Sequence, residues 1–469
     1  MFFNREAELA HLEQRYDTNQ AEMYVLYGRR RVGKTELLRA FCEGKPHVFF
    51  IATLSSDRDL LAAFSEEIWR FDHTEVSEGF TFPSWEAAFR ALADLPGRPI
   101  VVSDEFTYLI SGNKAVPSIL QKVWDQVLQK TRIFLVLCGS YVGMMEREVL
   151  GYQGALYGRR TASHLLQPLE LADAAAFFPS YSPIQQIETW AVLGGMPYYL
   201  QTFSPSVDLF ANIEEQILDE KGTLYNEPHL LLMQELREPR NYFSILRAIA
   251  QGNTRLNEIA QSARVGTAAA TARYLDTLQR MRLVRRSVPA SESRPDKSRK
   301  GLYQIADPFL RFWFRYVQPY RGLLEQGLAH SVLEQHARPD FDHFVGQAFE
   351  EAARQYIGRL ARAGELPFAP ERMGAWWAQG EEIDAVAISD AEGAMLVGEC
   401  KWSANAVGLK VLVDLKRKAQ VLGALGRWPK VSYILFSKVG FTSDVQALAA
   451  SQGIRLVQGA DLLEEESAS

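Results

Sequence analysis

The sequence predicts a multidomain α/β fold, and three observations carry that expectation. The chain has 469 residues, too many for one hydrophobic core, in an ordinary globular mixture of 47% hydrophobic and 23% charged residues. Early in the chain the apolar strand MYVLY passes through a glycine-bounded loop into a helix with Leu37, Leu38 and Phe41 on one face. Late in the chain IDAVAI and AMLVGEC read as two strands around a DAEG turn, yet Asp384, Glu399 and Lys401 are set among their aliphatic residues.

The early loop, GRRRVGKT, matches G-x-x-x-x-G-K-[ST] in full and lies between a strand and a helix, the context that pattern needs. Gly28 and Gly33 let the backbone of Arg29, Arg30, Arg31 and Val32 curl so that its N–H groups face phosphates. Lys34 then reaches the β- and γ-phosphates of ATP, Thr35 ligates Mg²⁺, and the helix N-terminus favours the negative charge. A second strand, PIVVS, ends in Asp104 and Glu105, seventy residues beyond Lys34. Asp104 is expected to hold the magnesium ion and Glu105 to polarise the attacking water. A third strand, RIFLVLCGS, ends in Ser140.

Composition excludes several classes. Cys42, Cys138 and Cys400 are widely separated in apolar runs, so neither a disulfide framework nor a metal-ligand pattern is available, and a reducing cytoplasm fits. The opening MFFNREAELAHLEQRY has no signal-peptide core, and no apolar run approaches the ~20 residues that span a bilayer, so no membrane partner is expected. The net charge of −6 is unevenly spread: residues 240–320 hold fifteen basic and five acidic side chains, which leaves −16 for the remainder. A block this asymmetric suggests a face for a polyanion, a merely solvated basic surface being the bland alternative.

Taken in order, FNREAELAHL, GRRRVGKT, VVSDEF, LCGS, YGRRT and GGMPYYL resemble the ATPases abundant in archaea and scattered in bacteria, members of the STAND class related to AAA+ proteins. The resemblance spans about the first half of the chain. It implies that Asn4, Arg5 and Glu6 lie near the adenine, that Ser140 senses the γ-phosphate, and that Arg159 senses it too or acts in trans within a nucleotide-dependent homo-oligomer. GGMPYYL would belong to a helical lid.

The basic block reads as NYFSILRAIAQG, RLNEIAQSA and TAAATARYLDTLQRM, three helices with Thr267 capping the last, then two strands, LVRRSV and GLYQIA, around PASESRPDKSRK. That order is a winged helix-turn-helix. Its candidate nucleic-acid contacts are Arg273, Arg285, Arg286, Lys297, Arg299 and Lys300, with DNA the first partner expected. The third helix offers bases little beyond Thr267, Thr271 and Arg273, which favours non-specific or shape-led binding; packing against protein is the alternative use. The aromatic run that follows has Phe309, Phe312, Trp313 and Tyr316 at helical spacing, which reads as core.

In the late hairpin, Glu399 and Lys401 face one side of their strand, and an antiparallel neighbour can set Asp384 against the same spot. Asp384 and Glu399 would hold Mg²⁺ or Mn²⁺, and Lys401 would orient the attacking water or stabilise developing charge. The spacing acid-x14-Glu-x-Lys resembles the PD-(D/E)XK nuclease signature, with Ile383 where that signature has proline. The resemblance implies a further acid, Glu350, on a preceding helix, and Lys416 and Lys418 near phosphates. The expected architecture is an ATPase core over 1–165, a helical lid over 166–238, a winged helix over 239–320 and a restriction-endonuclease-like α/β domain over 321–469. The expected function is a nucleotide switch that engages nucleic acid and cleaves it. Two alternatives stay open: a DNA-binding regulator whose nuclease-like domain only binds, and a protein-interaction scaffold.

Overall fold

In the first of two compact units, Met1–Pro168, five strands form one parallel sheet: β1 (Glu22–Tyr27), β2 (His47–Ile51), β3 (Ile100–Asp104), β4 (Phe134–Gly139) and β5 (Ala162–Leu165), in the order β2-β3-β4-β1-β5. This computed structural model describes residues 4–73, 79–236, 238–426 and 428–464. The central strands are apolar almost without interruption because helices cover both faces of the sheet, which leaves no side for polar residues. Phe64, Trp85, Phe89, Leu120 and Trp124 pack on one face, and Tyr16 and Phe41 pack against Phe134 on the other. Since the pairing is parallel throughout, β1, β3 and β4 all end at one edge, and that edge carries the loop before Lys34, then Asp104, then Ser140. The first unit is thus an α/β domain with the parallel-sheet core of a P-loop NTPase.

In the second unit, Leu169–Ser469, the helix Pro183–Leu193 opens on a capping box between Ser182 and Gln185. The helices Pro239–Ala250, Leu256–Ala263 and Ala268–Arg280 follow, then an antiparallel pair, β6 (Val284–Ser287) and β7 (Leu302–Ile305). Thr267 caps the third helix, its hydroxyl accepting from Ala270 N–H at 3.2 Å. Phe309, Phe312, Trp313 and Tyr316 are buried at 0 to 2% exposure, so the aromatic run is core.

A helix at Phe341–Ala363 leads into a five-stranded sheet of order β12-β11-β10-β9-β8. Its strands are β8 (Arg372–Ala378), β9 (Glu381–Ser389), β10 (Ala394–Lys401), β11 (Lys430–Ser437) and β12 (Arg455–Gln458). The pairs β8–β9 and β9–β10 are antiparallel; β10–β11 and β11–β12 are parallel, joined by the crossover helices Leu409–Gly423 and Ser443–Gln452. The segment after β6 docks on this sheet: Ala290 N–H donates to the Ala375 carbonyl at 2.9 Å, and Arg372 Nε donates to the Ala290 carbonyl at 3.0 Å. Among the described residues no helix is long and apolar enough to cross a membrane.

Candidate functional site

The nucleotide loop is built where β1 ends. A Cβ at Gly28 would lie 2.6 Å from the Leu166 carbonyl oxygen, so only glycine permits that approach. Lys34 is buried at 4% exposure and curls back over the loop, donating to the carbonyls of Gly28 and Arg29 at 2.9 and 3.0 Å. Thr35 Oγ1 donates to Asp104 Oδ2 at 2.6 Å, which joins the helix start to the end of β3. Glu105 follows in a left-handed conformation, φ 52°, and its carboxylate is fastened by Ser140: Oγ donates to Oε1 at 2.6 Å and the backbone N–H to Oε2 at 3.4 Å. Oxygen ligands set between a helix N-terminus and a strand end are the donor set a magnesium ion takes. Thr35 and Asp104 therefore fit that ion.

The late hairpin makes a second candidate site. The β9–β10 register pairs Ala385 with Gly398, and one step further Asp384 comes opposite Glu399. The Asp384 carboxylate accepts from Cys400 N–H at 2.8 Å. Glu399, only 6% exposed, accepts from Lys401 at 2.8 Å and from Lys418 of helix Leu409–Gly423 at 3.0 and 3.1 Å. Glu350, on helix Phe341–Ala363, lies 3.7 Å from Arg354, which also donates to the Asp384 carbonyl at 2.7 Å. Burial, with repulsion from Asp384, pushes the Glu350 carboxyl up to about 7, and Arg354 opposes this only in part. Burial and the charge of Glu399 likewise hold Asp384 well above the usual carboxylate range. Burial works against the charge of Lys401, but the hydrogen bond to Glu399 together with the negative charges of Glu399 and Asp384 outweighs that and raises its pKa.

One expectation needs correction. Lys418 turns inward at 13% exposure to meet Glu399 rather than reaching towards phosphates, so that Glu399 is paired with two lysines, Lys401 and Lys418. Among the described residues no three His, Cys, Asp or Glu side chains lie close enough to form a metal cage as they stand. Asp384 and Glu350 repel each other, and Arg354 relieves only part of that at Glu350.

Residues 2–203 match a family described as an ATPase domain predominantly from Archaea, and residues 313–413 match one described as "Archaea bacterial proteins of unknown function". Over 425 residues, 90% of this chain and 93% of the other, the chain is 32% identical to the uncharacterized protein MJECL04 of Methanocaldococcus jannaschii. The chain belongs to this archaeal-type ATPase family. Solved structures matched by the ATPase include the Walker-type ATPase PABY2304 of Pyrococcus abyssi, at 24% identity, TM-score 0.46, 67% of this chain and 96% of that one. The ORC2 protein of Aeropyrum pernix matches at 13% identity, TM-score 0.34, 65% of this chain and 90% of that one.

Other expected residues of the ATPase fall in mixed places. Arg5 braces the loop, donating to the carbonyls of Val32 at 3.3 Å and Gln167 at 2.7 Å, while Val32 itself is core. Asn4 precedes it at φ 48°. Arg30 donates to the Tyr108 hydroxyl, and Arg31 takes a left-handed conformation, φ 69°. Arg159 is not brought to the loop: it is ion-paired with Asp125 at 3.1 Å, just before β5 begins, whereas the phosphate loop follows the far end of parallel β1. Sensing of its own chain's γ-phosphate by Arg159 is thereby set aside.

In the basic block, Arg273, Lys297, Arg299 and Lys300 are exposed. Thr271 is wholly buried and so unavailable to bases. Arg285 is held by Glu351 at 2.6 Å, and Arg286 rests on the carbonyls of Pro295 and Ser298. Lys416 lies over the Tyr433 ring and donates to Gln452. Sequence reasoning missed Glu351 and Arg354, whose i,i+3 spacing in EEAARQ was the available signal.

Proposed function

We propose that this ATPase is a nucleotide switch that engages nucleic acid, DNA in the first instance, through its basic module and cleaves it at the Asp384–Glu399–Lys401 site. At the nucleotide loop, Lys34 and the N–H groups from Gly28 to Gly33 hold the phosphates, and Thr35 with Asp104 holds Mg²⁺. Bound magnesium supplies charge neutralisation at the β- and γ-phosphates. Glu105, oriented by Ser140, positions the attacking water and accepts its proton.

The helices from Pro239 to Arg280 with the β6–β7 pair read as a winged helix, and the sheet from β8 to β12 as a nuclease-like fold. The observation that carries the cleavage reading is the meeting of Asp384, Glu399 and Lys401 at one end of the β9–β10 pair, with Glu350 on helix Phe341–Ala363 near enough to Asp384 to be repelled by it. Asp384 and Glu350 or Glu399 would hold the divalent ion, which supplies Lewis-acid stabilisation of the phosphodiester. Lys401, 42% exposed, donates towards the attacking water or the developing negative charge. The pairing of Glu399 with both Lys401 and Lys418 favours a second reading, a DNA-binding regulator whose C-terminal fold only binds. The exposed cations of the module speak against a pure scaffold.

Plasmid nicking with Mg²⁺ or Mn²⁺ separates the first two. Wild type should nick, Lys401→Ala and Asp384→Asn should not, and both variants should hydrolyse ATP at the wild-type rate. Calorimetry should find a Mn²⁺ site beyond the nucleotide loop that Asp384→Asn removes. No nicking by wild type, or no such Mn²⁺ binding, would leave the regulator as the better account, and nicking unaffected by Lys401→Ala would take Lys401 out of the reaction.

A further inference from the structure

Between the basic module and the C-terminal sheet the second unit has a cleft of ≈ 840 Å³. Arg255, at the start of helix Leu256–Ala263, and Arg286, Arg299, Lys300 and Tyr303, from the β6–β7 segment, line one side; Trp377, near the end of β8, lines the other. Among the described residues no carboxylate lines it. We propose that this cleft binds single-stranded nucleic acid, a reading that rests on the module's engagement of nucleic acid and names the form it takes there.

Four cations around two aromatic rings are the two halves of single-strand recognition: positive charge follows the backbone, and bases stack on rings irrespective of sequence. Tyr303 and Trp377 are each partly exposed where they line the cleft, and neither stacks on another aromatic ring among the described residues. The cations are placed rather than merely present. Arg286 is fixed by the carbonyls of Pro295 and Ser298 and lies so tightly along Gly301 that a Cβ there would be 2.3 Å from Nε. Arg299 has no hydrogen-bond or ion-pair partner among the described residues. Lys300 is paired with the half-buried Glu292 at 2.8 Å, and Arg255 lies 3.9 Å from the exposed Glu258, a pair that costs little to exchange for phosphate.

Size and position favour one strand over two. Pockets of roughly 300–1,000 Å³ take drug-sized ligands, enough for one or two nucleotides and too little for both strands of a duplex. In the β8–β9 register Trp377 pairs with Glu382, two residues before Asp384. That separation is about 7 Å along the strand. A strand seated on Trp377 therefore begins next to the carboxylate cluster.

The test is fluorescence anisotropy of the full chain, in EDTA so that nothing is cut, with a 5′-labelled twenty-nucleotide oligothymidylate and with the same strand annealed to its complement. The single strand should bind more tightly than the duplex. Trp377→Ala should weaken single-strand binding about 5- to 100-fold, the range of one lost base stack. Trp377→Phe should restore most of it, and duplex binding should be unmoved by either change. Arg299→Glu reports on the same cleft without touching the sheet and should also weaken the single strand. Duplex binding with a single-strand affinity indifferent to Trp377→Ala and Arg299→Glu overturns the cleft but leaves the module's engagement of DNA intact. Absence of binding to either oligonucleotide overturns both. Full displacement of the strand by millimolar thymidine monophosphate overturns it in favour of a mononucleotide pocket.

Discussion

At the nucleotide loop the ammonium of Lys34 rests on two backbone carbonyls, at 2.9 and 3.0 Å, and the carboxylate of Glu105 on Ser140, at 2.6 Å. The first group is already where phosphate oxygens would replace carbonyls; the second is where a water, not a phosphate, would be turned. Lys34→Ala should therefore lose ATP binding by tenfold or more, about 1.4 kcal/mol. Glu105→Gln should bind ATP as wild type does and lose turnover by roughly 10²- to 10⁴-fold, the usual worth of a positioned base. Ser140→Ala should lower turnover with binding intact, since Ser140 acts by holding Glu105. Binding by nucleotide fluorescence and turnover by phosphate release separate these outcomes. Hydrolysis at the wild-type rate by Glu105→Gln would mean that another group positions the water.

Among the elements, the β6–β7 pair and helix Phe341–Ala363 are tied through Arg285, Glu351 and Arg354. Burial alone would raise the Glu351 carboxyl, but Arg285 and Arg354 outweigh it and hold it at about 2. Arg285→Gln removes one of those partners, and with the pair about a third exposed the cost should be about 1 kcal/mol. A group held below its unfolded pKa contributes stability that is complete above the ordinary carboxylate value and is lost as pH falls towards the folded one. The wild type should thus outlast Arg285→Gln in denaturant melts at pH 6, and the gap should shrink at pH 3.5. The same substitution should leave the salt dependence of DNA binding unchanged, because Arg285 is spent on Glu351; a shallower slope would place it on phosphate after all.

This tie also marks where the sequence is legible and where it is not. The phosphate loop, Asp104, the Thr267 cap and the aromatic core can be read because each depends on near neighbours and a fixed period. β8 hides because its register breaks between Gly374 and Trp376, which spoils the alternation that marks a strand. Lys418 meets Glu399, and Arg285 meets Glu351, only after separate elements pack, and no local spacing announces either pair.

Over the whole molecule, the charge is divided so that residues 240–320 carry ten more bases than acids while the rest of the chain carries −16. A polyanion is drawn more strongly to this block than to the net-acidic remainder. Within that block Arg285 is paired and Arg286, Arg299 and Lys300 line the cleft, so on the proposed reading phosphate neutralisation would fall on few side chains. Each such contact to a single strand adds about 0.7 to the slope of log affinity against log salt. Replacing Arg286, Arg299 and Lys300 together by alanine should therefore lower that slope by about 2 and weaken binding on the order of 50-fold near physiological salt. Circular dichroism of the triple variant guards against misfolding, since Arg286 also holds the backbone of Pro295 and Ser298. A folded triple variant that bound as tightly as wild type, with the same salt slope, would show that the asymmetry of charge is not what brings nucleic acid to this protein.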